Sequence, residues 1–148
     1  MRILVLGGGD GPERDVSLRS AAAVRDGLTD SVHDVQYCDP ADGEAAFRLA
    51  AAECDLIFPI LHGVGGEDGT IQRLLDDIGK PYLGSNEAFS GLCFDKLKLK
   101  KLLVKNAIST PKSEIVTAGS FKNSELAREP FVLKPIHGGS SLDTMIAR

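Results

Sequence analysis

A chain of 148 residues, 43% hydrophobic and without tryptophan, is long enough to bury a core of its own. Its formal charge of -4 argues against a general affinity for nucleic acid, whose phosphates demand a basic face. Its apolar runs are far shorter than a bilayer span, and Met1-Arg2-Ile3-Leu4-Val5-Leu6 runs straight into glycines with no signal-peptide cleavage pattern. A cytoplasmic protein with no nucleic-acid or membrane partner is therefore expected. Cys38, Cys54 and Cys93 form no Cys-x-x-Cys pair, so free thiols are expected rather than disulfides or a zinc ribbon.

In chain order, Arg2 to Leu6 reads as a strand that gives way to Gly7-Gly8-Gly9-Asp10-Gly11, after which Leu18, Ala21, Val24 and Leu28 mark one face of a helix. His33 falls in the following connection and is expected to be exposed. Residues 35–38 form a second strand, 43–52 an alanine-rich helix and 56–61 a third strand. Ile71, Leu74, Leu75 and Ile78 recur at helical spacing, and Tyr82-Leu83 is a candidate short fourth strand. This alternation implies an α/β fold with a parallel sheet. The character changes at Asp95, an N-cap with Phe94 and Leu99 spaced as a hydrophobic staple, which predicts a helix from 96 to about 106. Thr110-Pro111 stops it, and strands are predicted at 113–116 and 131–134 on either side of a polar stretch. The organisation read from this is a first domain over 1–93 and a second, incomplete one over 94–148.

The segment Leu61-His62-Gly63-Val64-Gly65-Gly66-Glu67-Asp68-Gly69-Thr70 carries one imidazole, two carboxylates and four glycines between a strand and a helix. In open α/β sheets ligands bind at the carboxyl ends of strands. The competing reading is a glycine-rich turn with a solvated acidic pair. The first glycine loop invites a dinucleotide, but a G-x-G-x-x-G pattern begun at Gly7 or Gly9 would need its last glycine at Pro12 or Arg14. Asp39, after the second strand, is the one feature placed to take a ribose. Gly79-Lys80 is followed by Pro81, so no Walker A sequence exists. Glu13, where the helix starts, either offsets the helix dipole or binds a ligand.

Ser140 and Ser141 lack the glycine at Leu142 that a nucleophile elbow needs. Lys134, ending an apolar strand beside Gly138-Gly139-Ser140-Ser141, instead makes a natural phosphate cradle. Lys96, Lys98, Lys100, Lys101 and Lys105 read mostly as a solvated helix face. His33, His62 and His137 have no metal-ligand spacing.

These pieces form an ordered pattern: Gly8-Gly9 with Glu13-Arg14-Asp15-Val16-Ser17-Leu18 and Ser20-Ala21; His62-Gly63 with Gly66-Glu67-Asp68-Gly69 and Ile71-Gln72; Pro81-Tyr82 with Gly84-Ser85; Asp95-Lys96; Thr110-Pro111; and Lys134-Pro135 with Gly139-Ser140-Ser141. In this order they resemble the amino-terminal part of the D-alanine–D-alanine ligase family, within the ATP-grasp superfamily. The resemblance implies a Rossmann-like, parallel-sheet pre-ATP-grasp domain followed by the first part of an ATP-grasp domain. It implies ATP-dependent joining of two D-alanines through an acyl phosphate, for peptidoglycan, and possession by the family of a homodimer formed through the first domain.

On that resemblance Glu13 and Ser140 are the catalytic residues. Glu13 anchors the ammonium of the first D-alanine, Ser140 orients Glu13, His62 sits near the same substrate and Glu67 holds the loop. Lys96 and Lys134, with Gly139 and Ser141, bind ATP. The Mg²⁺ ligands, the adenine pocket and a transition-state arginine belong to a later part of the family's sequence, so the isolated chain is expected to be inactive and to contribute no metal ligand. One departure stands out: Asp143 occupies a family glycine position, where a carboxylate would weaken ATP binding. Two other readings remain open, a non-catalytic module binding a small ligand or partner, and a nucleotide-binding protein reading ribose through Asp39.

Overall fold

The computed structural model describes residues 1–139 and 141–148. Strand β1 (Arg2–Leu6) is central in a parallel sheet of order β2, β1, β3, with β2 (Asp34–Cys38) and β3 (Leu56–Pro59) on either side. Ile3 to Leu6 are all buried, and their alternation sends them to opposite faces. Ile3 and Val5 meet Ala21 of helix α1 (Arg14–Thr29), while Leu4 and Leu6 join Phe47 and Ala51 of α2 (Glu44–Glu53) and Ile71 and Leu75 of α3 (Thr70–Ile78). A strand covered on both faces by helices is what its uninterrupted apolar run requires.

The third strand ends at Pro59, shorter than the 56–61 run, because its partner β1 stops at Leu6. One further bond, from the Ile60 amide to the Leu6 carbonyl at 2.7 Å, carries the chain out toward His62. Tyr82 makes a single parallel bridge to Ile57 rather than a strand, although Ile57 donates to Pro81 and Leu83 donates to Ile57. His33 is half-buried instead of exposed, and its Nδ1 is enclosed with no hydrogen-bond partner among the described residues. The three thiols are free, with Cys54 buried, Cys38 intermediate and Cys93 exposed.

Helix α4 (Glu87–Phe94) escapes the periodicity reading because Ser90, Gly91 and Cys93 are weak helix formers. Asn86 nevertheless caps it, accepting from the Phe89 amide at 3.0 Å. Helix α5 (Lys96–Lys105) starts where its cap predicts, Asp95 accepting from the Leu97 and Lys98 amides at 3.0 Å each. The expected strand at 113–116 does not form. Ile115 is 64% exposed, and β4 (Phe131–Leu133) pairs instead with β5 (Met145–Ala147), antiparallel, so that stretch has no ladder partner. The polar stretch holds two short 3₁₀ turns, Phe121–Asn123 and Leu126–Arg128. No helix among the described residues is long and apolar enough to cross a membrane.

Candidate active site

The glycine loop after β1 is fixed from below. Ser17 of α1 accepts from the Gly8 amide at 2.9 Å and donates to the Ile60 carbonyl, tying the ends of β1 and β3 to one hydroxyl. Asp39 accepts from the Gly9 amide at 2.9 Å, from the Ala41 amide at 2.9 Å and from Arg14 at 2.7 Å. Burial raises its carboxyl pKa, but the two amides and the guanidinium outweigh this and hold it below the ordinary carboxylate range. An oxygen pair committed to two amides and a guanidinium is not presented to a ribose, so the structure removes the ribose reading of Asp39.

Glu13 is placed by this same loop. It lies at the N-cap position of α1 yet makes no side-chain cap, which sets aside the reading of a simple helix-end acid. The residue is only 4% exposed, and its Oε2 has no hydrogen-bond partner among the described residues. Taking a carboxylate out of water without a partner costs several kcal/mol. Such a group is expected to have a ligand.

The second loop is built around the same carboxylate. Gly63 has φ of +69°, and a Cβ there would lie 2.4 Å from Glu13 Oε1, so glycine is demanded both by the backbone and by the acid beside it. Glu67 Oε2 accepts from the Gly63 amide at 2.7 Å. Asp68 accepts from the Gly65 and Thr70 amides at 3.0 Å each. Burial again opposes ionisation, and these amides reverse it, keeping its pKa low. Gln72 donates to the Gly66 carbonyl at 2.8 Å. The carboxylates of exposed Glu67 and half-buried Asp68 both organise the loop's own amides, so the acidic pair is part of the turn's own structure. His62 Nε2 lies 3.3 Å from Ser20 Oγ, and His62 borders a separate cleft of about 520 Å³ that also takes in Leu61, Ile71 and Leu74.

The third loop arrives from the other half of the chain. Lys96 and Lys134 line a cavity of about 210 Å³ with Gly138, Gly139, Ser141 and Thr144. A Cβ built on Gly139 would stand 3.1 Å from Glu67 Oε2 and 3.4 Å from Glu13 Oε1. Glu13, Glu67 and Gly139, from three separated loops, therefore meet. Ser140 lies outside the described residues. Lys96 differs from its neighbours in the basic run: its Nζ donates to the Gly138 carbonyl at 2.8 Å, whereas Lys98 pairs with Asp95 and Lys100 donates to the Pro111 carbonyl. Sequence reasoning missed Thr144 in the cavity wall, and no local pattern marks it. It also missed the contact of His137 Nε2 with Asp95 Oδ2 at 3.5 Å, although an imidazole beside a glycine pair was visible. Asp143 and Ser141 have φ of +55° and +59°, so the Asp143 position has the left-handed backbone that glycine adopts most easily.

The fold is that of a parallel α/β domain, with a lysine-lined cavity whose Gly139 approaches the domain's Glu13 and Glu67. Comparison with known proteins narrows the class. A family model described as the D-ala D-ala ligase N-terminus matches residues 40–85. The D-alanine–D-alanine ligase of Pseudomonas putida strain GB-1 is 43% identical over 143 residues, covering 95% of this chain and 45% of that protein. That of Sphingopyxis alaskensis is 40% identical over 146 residues, covering 99% of this chain and 47% of the relative. Among solved structures, the D-alanine–D-alanine ligase from Bacillus anthracis superposes with a TM-score of 0.79 at 32% identity, over 99% of this chain and 49% of that one. The same enzyme complexed with ATP gives 0.77 at 31% identity, over 99% and 50%. The chain is thus related over nearly all its length to the D-alanine–D-alanine ligases and corresponds to their amino-terminal half. It spans about half the length of the curated relatives it matches.

Proposed function

We propose that this chain supplies the first-substrate pocket and the phosphate-binding lysines of an ATP-dependent D-alanine–D-alanine ligase, whose product enters peptidoglycan and so supports cell shape. The observation that carries the reading is the meeting of Gly139 with Glu13 and Glu67 beside the Lys96–Lys134 cavity. A buried carboxylate whose Oε2 has no partner among the described residues suits the ammonium of an amino acid, and two lysines nearby suit phosphate oxygens. In this proposal Glu13 binds the ammonium of the first D-alanine, Glu67 fixes the Gly63 turn beneath it, and His62 lies to one side. Ser140 is assigned to orient Glu13, and Gly139 and Ser141 belong to the loop over the nucleotide.

The phosphates of ATP fit what is present: a cavity of about 210 Å³ with two lysines, two hydroxyls and glycine backbone. When bound it supplies the phosphoryl group that activates the first substrate's carboxylate. The residues here hold that carboxylate near the phosphate, offset its charge and exclude water from the activated acyl group. Mg²⁺ is part of the proposed reaction, but no group of three or more acidic, histidine or cysteine side chains among the described residues could hold a metal ion. A division at 93/94 into a pre-ATP-grasp domain and the beginning of an ATP-grasp domain, a homodimer formed through the first, and a cytoplasmic location complete the proposal.

Calorimetry tests it. D-alanine is expected to bind the chain, Glu13→Gln to weaken it by tenfold or more, and Lys134→Met to weaken ATP while leaving D-alanine unaffected. Equal D-alanine affinity in the wild-type chain and Glu13→Gln would refute the substrate pocket. A non-catalytic module would bind D-alanine and be indifferent to Lys134→Met in every nucleotide titration.

A further inference from the structure

We propose that His137 is a positioning residue for the phosphate loop, acting through Asp95, so that the loop's grip on a phosphate group depends on the charge of this imidazole. The inference rests on the phosphate reading of the Lys96–Lys134 cavity. Three ties hold the loop after β4 to the start of α5. The Lys96 amide donates to the Ile136 carbonyl at 3.1 Å, Lys96 Nζ donates to the Gly138 carbonyl at 2.8 Å and more weakly to that of Ile136 at 3.5 Å, and His137 Nε2 lies 3.5 Å from Asp95 Oδ2. The Phe94 ring at the end of α4 stacks on the imidazole, centroids 6.2 Å apart and planes 23° from parallel, which sets its orientation toward Asp95.

The second tie conflicts with function. A Lys96 ammonium that turns to a phosphate oxygen shares or gives up the Gly138 carbonyl, and the loop loses a strap when it is needed. His137 then carries the load. Asp95 can serve both elements because its oxygens are divided: Oδ1 accepts the Leu97 and Lys98 amides of the helix start, and Oδ2 faces His137 and Lys98 Nζ, also at 3.5 Å. At this separation a protonated imidazole is held to the carboxylate as an ion pair, whereas a neutral one competes poorly with Lys98.

The other charges around the loop are Lys96 on α5, Lys134 after β4, Asp143 in the loop itself, and Glu13 and Glu67 across Gly139. Phe94 adds none. Losing the proton removes the His137 tie, leaving those of Lys96, and takes positive charge from beside the cavity.

The test uses the 148-residue chain with inorganic triphosphate as probe, by calorimetry, with the Gly139 amide followed by NMR from about pH 5.5 to 8, the range in which imidazoles change charge. Triphosphate titrates in this range too, so variants are compared with wild type at each pH. In the wild type the Gly139 amide is expected to move with pH and triphosphate to bind several-fold tighter at the acid end than in His137→Gln. His137→Arg should bind tightly throughout. Asp95→Asn keeps the helix cap. It removes a negative charge that ought to favour triphosphate, yet the proposal expects it to flatten the Gly139 response and weaken binding as His137→Gln does. Stronger binding in Asp95→Asn with the pH response intact would overturn the proposal and make His137 a mere local charge. Wild-type affinity in His137→Gln would also overturn it. If triphosphate binds none of these proteins, the phosphate reading fails, while a Gly139 response lost in both His137→Gln and Asp95→Asn still supports the latch.

Discussion

Every fully buried hydrophobic side chain among the described residues lies between Ile3 and Leu75, whereas α5 and the β4–β5 pair bury none. The two regions therefore hold their functional groups by different means. On the first side a doubly covered sheet fixes the loops, and side chains such as Ser17, Asp39 and Glu67 brace the glycine backbone from beneath. On the second, a glycine loop hangs from α5 through Lys96 and His137. The buried Glu13 carboxylate is approached by a loop held chiefly by hydrogen bonds and an ion pair. Under the proposed function, the first side would hold the amino acid and the second would carry the loop over the nucleotide.

The largest expected effect is on the first side alone. Leu4→Ala removes a wholly buried side chain from the central strand and should destabilise the chain by about 2–5 kcal/mol in urea unfolding. Leu102→Ala, on the half-buried face of α5, should cost about 1 kcal/mol. Equal losses would erase the contrast. Gly63→Ala comes next, since the new methyl meets Glu13 Oε1 on a left-handed backbone. It should cost about 1–3 kcal/mol and abolish D-alanine binding, both measurable on one sample.

Acid sensitivity sharpens the same point. The folded-state pKa of Asp39 lies below its unfolded value, so its contribution is fully present above about pH 4 and is lost as pH falls through the lower folded value. Asp39→Asn should lower stability at neutral pH and flatten the fall in stability between about pH 5 and 3, followed by urea midpoints. The smallest effect is kinetic. Amides of β1 should exchange only through global unfolding and those of α5 through local opening, read by hydrogen exchange.

The sequence revealed most of the first region because burial there follows a period. Ile3 to Leu6, the Ala21 face of α1 and the Ile71–Leu75 face of α3 are each legible as a local pattern, and the core confirms them. Where pairing rather than pattern decides, reading failed. Residues 113–116 have strand-like composition but no ladder partner, and β5 forms only because β4 lies beside it. Helix α4 depends on packing: Gly91, a poor helix former, is there because a Cβ would come 3.1 Å from the Asp68 carbonyl oxygen. Glu13 was visible as a charged residue at a helix start, with helix dipole and ligand both open. Only its burial, and the approach of Gly139 from a distant part of the chain, favours the ligand.

The central claim is that Glu13 and the phosphate loop face one amino-acid site. The most direct check is to titrate D-alanine into the chain while following the Gly63 and Gly139 amides by NMR. Both amides should shift along one saturation curve, and both shifts should vanish in Glu13→Gln. Movement of Gly63 alone, or shifts that persist in Glu13→Gln, would contradict the account.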